Sequence, residues 1–171
     1  RSLLDAGVAV VGADLLMQGE SVGTEDGSEQ TRRVANTREA AAYTLGYNHS
    51  LFARRVHDVL TIISLVKHHE RDPAEVWLLG MGGAGHWAAA ANALAGDAVD
   101  KTAVVTQEFR FADVDNIRSP ELLPGGAKYH DLPGMLSLSA PRPLWVADED
   151  EVSLDIALAA YSAKNARDRI I

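Results

Sequence analysis

The sequence predicts an α/β fold, with a mostly parallel sheet and helices on both of its faces. Three observations predict it. Short apolar runs recur at 8–13, 75–79, 102–106 and 143–147, helix-period segments lie between them, and the glycine-rich turn Gly80-Met81-Gly82-Gly83-Ala84-Gly85 leads one run straight into an alanine-rich helix. Apolar runs of this length read as parallel strands covered on both faces, and their alternation with helical segments gives βαβ units.

The elements follow in order. Gly7 stops a helix end at Arg1-Ser2-Leu3-Leu4-Asp5-Ala6, and the strand over 8–13 ends at Asp14. From 15 to 48 the chain is polar and glycine-containing, with a helical patch at 37–43, an excursion of the kind that carries sites. Asn48 caps a helix over 49–70, in which Phe52, Val56, Val59, Leu60, Ile63 and Val66 keep three-and-four spacing. The strand over 75–79, the glycine turn and a helix over 86–94 come next, and Gly96 ends that helix. A loop-rich insertion at about 108–142 separates the strands at 102–106 and 143–147. It holds Pro120, Pro124, Pro133 and Pro141, with short helical pieces near 120–123 and 132–138. A helix over 152–166 leads to Arg169-Ile170-Ile171, which reads as the start of another strand.

At 171 residues, 47% hydrophobic and 23% charged, the chain has the composition of one globular domain able to bury a core. Its net charge of −8 argues against a nucleic-acid or anionic-membrane surface, either of which needs a basic patch. No apolar run reaches the roughly 18 residues of a membrane span, so neither nucleic acid nor membrane is an expected partner. The absence of cysteine removes disulfides, thiolate metal sites and a cysteine nucleophile together. No His, Asp and Glu set has a recognisable ligand spacing, and no metal is expected.

Two chemistries fit the glycine turn. Gly80-x-Gly82-x-x-Gly85 matches the dinucleotide fingerprint, in which glycines let the backbone approach a pyrophosphate at a helix N-terminus, with Glu108 after the next strand as the ribose carboxylate. Against it, a strand, a long loop and an amphipathic helix precede the turn, whereas the fingerprint strand usually opens its domain. The alternation also breaks after Glu108, and no cofactor is expected. The other reading is the strand-to-helix elbow G-x-S-x-G of an α/β-hydrolase, with Gly82 at the position of the nucleophilic serine.

More of the chain fits the second reading. After the strand at 8–13, Asp14-Leu15-Leu16-Met17-Gln18-Gly19-Glu20-Ser21 resembles the hydrolase segment D-x-x-G-x-G-E-S, and Tyr47-Asn48-x-Ser50-Leu51-Phe52-Ala53-x-Arg55-Val56-x-Asp58 resembles the helix before the elbow. Ala140-Pro141-Arg142-Pro143-Leu144 resembles the A-P-R-P-L lead-in to the acid-bearing strand. In this order the motifs resemble acetyl xylan esterase-like members of the α/β-hydrolase superfamily over nearly the whole chain. The resemblance implies a single core segment over 1–171 with a lid-like insertion, and ester hydrolysis on an acylated carbohydrate through Ser, His and Asp roles.

Those roles are only partly filled. Gly82 has no hydroxyl; the Gly83 N–H is one candidate oxyanion donor, and the second comes, in the family, from a loop that this sequence lacks. The resemblance puts the acid after the strand at 143–147, where register favours Asp150 over Asp148, and the base histidine past Ile171. Glu108 is the candidate for a displaced acid. His86 is placed to face the site or to decorate its helix, His130 lies in the insertion over the expected site, and His68-His69-Glu70 at a helix C-terminus complements the helix dipole. Trp77 and Trp145, within strands, and Trp87, on the elbow helix, read as covered packing residues rather than a sugar platform. Two functions therefore stand: a catalytically silent relative that binds a small molecule or acylated carbohydrate, and an enzyme using other groups. The family's sheet order also puts one more strand between 8–13 and 75–79, so the remaining fold segments are expected from residues outside this sequence or from another chain.

Overall fold

Three of the apolar runs become strands of one parallel sheet: β1 (Trp77–Gly80), β2 (Lys101–Val105) and β3 (Leu144–Ala147), in the order β1-β2-β3. The computed structural model describes residues 2–19, 36–40, 42 and 45–171. Leu78 lies opposite Thr102 and Thr102 opposite Leu144, while Gly80, Val104 and Val146 form the next row on the same face. Ile170 makes a parallel bridge to Leu144, which extends the sheet beyond β3 as the last residues predict.

The helices are α1 (Ser2–Asp5), α2 (Thr37–Ala40), α3 (Leu51–Lys67), α4 (Gly85–Ala95), α5 (Asp131–Ser137) and α6 (Asp155–Ala163). Ser50, rather than Asn48, caps α3: its hydroxyl oxygen accepts the Ala53 N–H at 3.3 Å. At the other end a His68 ring nitrogen lies 2.8 Å from the Ser64 carbonyl in the last turn of the helix. Helix α4 lies against β1 and β2, and its run of alanines lets it sit close. A Cβ at Gly80 would press on Ala88, and one at Gly85 would collide with the Val105 carbonyl, so glycine is required at both positions. The apolar core divides around α4. Ala88 and Ala89 join Val104, Leu136, Leu144 and Tyr161 on the sheet side, and Trp87, Ala90 and Ala91 join Phe52, Val56 and Ile63 beside α3.

Two expectations change. Among the described residues the helices pack on one face of the sheet, not both. Thr102, Val104, Leu144 and Val146 are buried, whereas Trp77 is 48% exposed, Trp145 46% and Leu79 53% on the opposite face. Apart from Lys101 and Thr102 the strand residues on both faces are apolar or glycine, which is the pattern the sequence carries; apolar character shows that a face suits burial, not that something covers it. The tryptophans at 77 and 145 are consequently open, and only Trp87 is enclosed. The run at 8–13 is not a strand: Val8, Val10 and Val11 are exposed and pair with no strand among the described residues. Side-chain pattern alone does not make a strand; a neighbour must supply the ladder of N–H and C=O partners.

Helix α2 falls inside the patch expected at 37–43, of which Tyr43 lies outside the described residues, as do Glu20 and Ser21 of the first hydrolase-like motif. Within the rest of that segment the Asp14 carboxylate occupies the space into which a Cβ on Gly19 would project, so a side chain there would clash.

Candidate functional site

Parallel strands bring their C-terminal ends to one edge of the sheet, where α/β proteins place ligands. At the end of β1 the chain turns through Met81, Gly82, Gly83 and Ala84, closed by the Ala84 N–H donating to the Met81 carbonyl at 3.1 Å. Gly82 has φ +60° and Gly83 φ +92°, the left-handed pair of a type I′ turn. A Cβ built on Gly82 meets nothing within 4 Å, so a side chain would project freely from the turn. One built on Gly83 would face the Gln107 side-chain oxygen at 3.9 Å. In G-x-S-x-G register the second glycine position holds Ala84, and the close approach to β2 falls to Gly85 instead.

The ends of β2 and β3 are tied together by Thr106. Its hydroxyl donates to Glu149 Oε1 at 2.8 Å and accepts the Glu108 N–H at 3.3 Å. Arg110 completes the tie with two parallel bonds to Glu149, 2.8 Å from Nη1 to Oε1 and 2.6 Å from Nη2 to Oε2. The Glu149 side chain is fully buried. Asp148 explains why Glu149 turns inward: its φ of +64° breaks the strand alternation, so the residue after it points under the sheet end.

Asp150 is exposed, and its Oδ1 accepts the Ser153 N–H at 2.7 Å. That backbone bond, with a further one from the Ser153 side chain, holds its carboxyl below the usual range. Glu108 is also exposed, and it follows Gln107 through two consecutive left-handed residues at φ +53° and +56°. The sheet edge thus carries Gly82, Gly83, Gln107, Glu108 and Asp150. A hydrogen bond joins Glu108 to Thr106, Asp150 is engaged by its own following turn, and the Gln107 side-chain oxygen lies on the side of the turn towards which a Cβ on Gly83 would point.

His86 is 7% exposed and does not open onto this edge. Its ring stacks on Phe109, with centroids 4.1 Å apart, and Nε2 lies 2.7 Å from Glu121 Oε2. The same oxygen accepts the Trp87 indole N–H at 2.8 Å, and Arg55 Nη1 donates to Oε1 at 3.0 Å. Arg55 also donates to the carbonyls of Leu16 and Met17. Burial pushes the Glu121 carboxyl up, but the His86 bond and charge, the Trp87 bond and Arg55 together hold it below its ordinary value. His130 is exposed at the N-cap of α5 with φ +62°. Glu121 and Glu149 are the carboxylates that sequence reasoning missed. A signal for the first existed: Arg55 lies three residues from Phe52 on the apolar face of α3, and a guanidinium there needs a buried acceptor.

Among the described residues no group of three or more His, Asp or Glu is arranged to hold a metal, and no helix is long and apolar enough to cross a membrane. Comparison with known proteins finds no matching family model, no matching curated protein and no matching solved structure. The architecture stands as α/β with a small parallel sheet.

Proposed function

We propose that this chain is a catalytically silent relative of the acetyl xylan esterase-like α/β-hydrolases, keeping the strand, turn and helix of the elbow without its nucleophile. Gly82 carries the reading. It is a left-handed residue at the strand end with open space along its Cβ direction, where an elbow serine would lift its hydroxyl above the sheet.

What surrounds Gly82 suits binding more than acyl transfer. The Gly83 N–H and the Gln107 amide offer polar contacts to the carbonyl of an acylated carbohydrate laid over the turn. With no hydroxyl to attack that carbonyl, the ester stays intact. The second oxyanion donor, the base and the strand beside β1 belong, in this proposal, to polypeptide outside this sequence or to another chain. The uncovered apolar face with Trp77 and Trp145 is, in the same proposal, a surface for a further layer of that polypeptide.

A fluorophosphonate probe tests the reading: the protein should show no active-serine labelling, and stoichiometric labelling of any serine would overturn it. The dinucleotide reading keeps one observation in its favour, the exposed Glu108 just past β2. Calorimetric titration with NAD and NADP should show no saturable binding; uptake lost in Glu108→Ala would replace the hydrolase reading with that one.

A further inference from the structure

The helical side of the molecule carries a groove that none of the elbow residues lines. It runs between α3, α4 and α5, encloses about 840 Å³, and has an apolar floor that includes Phe52, Val56, Leu60, Ala90, Ala93 and Met135. That volume lies within the range of roughly 300–1,000 Å³ usual for small-molecule sites. On its banks Leu94 and Leu138 are 69% and 63% exposed and continue the apolar surface of the groove. Beside it opens a second depression of about 260 Å³, and the two share Leu16, His49 and Arg54.

Arg54 stands at that junction. It is exposed, and among the described residues its guanidinium enters no hydrogen bond or ion pair, in contrast with Arg55, all of whose bonds are used inward. The groove's carboxylate, Asp58, is already turned to the Leu16 N–H at 2.9 Å. His49 and His57 complete the polar rim. An unpaired guanidinium where an apolar trough meets the second depression is complementary to one anionic group on an aliphatic tail.

We infer that this groove binds a long-chain carboxylate, its tail along Phe52, Val56, Leu60 and Ala93 and its head on Arg54. The inference does not rest on the elbow reading, since the groove and the sheet edge share no residue. The test is calorimetric titration of the protein with dodecanoate, below its micelle-forming concentration, and with dodecanol. The native protein should bind dodecanoate saturably at one site. Arg54→Glu should weaken this at least about tenfold, the loss expected for one charge-assisted contact, and leave dodecanol unchanged. Ala93→Trp, which fills the trough, should weaken both. Trp77→Ser, on the uncovered sheet face, should alter neither. Far-UV circular dichroism checks that each variant is folded. No saturable binding, an unchanged affinity in Arg54→Glu, or loss of binding in Trp77→Ser would each overturn the inference. Displacement of dodecanoate by an amphipathic helical peptide that binds more tightly would assign the groove to a different occupant.

Discussion

His86 Nε2 lies 2.7 Å from Glu121 Oε2, and this contact couples the helix that follows the glycine turn to the insertion between β2 and β3. Glu121 takes two further bonds, from Trp87 on α4 and Arg55 on α3, so a single carboxylate fastens three parts of the chain.

Replacing it should be costly. Glu121→Ala removes the carboxylate partner of His86, Trp87 and the buried Arg55 guanidinium, leaving Arg55 only the Leu16 and Met17 carbonyls, and should destabilise the protein by roughly 2–4 kcal/mol in urea melts at pH 7. The native contribution also has a pH signature. Because the folded carboxyl is held below its ordinary value of 4.5, its stabilisation is present above that value and is lost as the pH falls through the depressed one. Glu121→Gln should therefore show a flatter acid limb than the native protein; identical acid limbs would remove Glu121 from the account.

Tyr161 provides the alkaline counterpart. It is fully buried, its hydroxyl donates to the Arg142 carbonyl at 2.6 Å, and burial pushes its pKa up to about 12 from 10.0. A raised acid binds its proton longer in the folded state, so this stability is complete below pH 10.0 and lost as the pH rises towards about 12. Tyr161→Phe should cost about 1 kcal/mol at neutral pH and remove this part of the alkaline loss. Denaturant melts between pH 8 and 12 check both.

The glycines of the turn should separate by role. Gly85→Ala drives a methyl into the Val105 carbonyl and should cost more than about 3 kcal/mol or prevent folding. Gly82→Ala meets no atom and pays only for its left-handed φ, about 1–2 kcal/mol. Thermal melts of the two variants giving equal losses would mean that the turn is not built as described.

The parts of the fold legible in the sequence were those set by local rules. The strand at 102–106 appears within one residue of β2, the alanine-rich helix as α4, and Gly96 does end it with φ +55°. Long-range relations were not legible. The run at 8–13 has the apolar character of a strand and lacks the partner that would make it one. Trp77 and Trp145 have the pattern of covered residues and face the open side of the sheet. At the site, the turn glycines were readable because glycine reports its own backbone conformation. Glu149 was not, since its inward direction depends on the left-handed step at Asp148, and neither was Glu121, whose partners lie 34 to 66 residues away.

The most direct measurement is turnover of p-nitrophenyl acetate by the protein and by Gly82→Ser, each against a heat-killed control. Both should stay at the control rate: the native protein has no hydroxyl at the turn, and a lone serine there, with no base beside it, recovers little because triad members act as a unit. Robust turnover by the native protein, abolished by Glu108→Ala, would contradict the account and establish an enzyme that works through other groups.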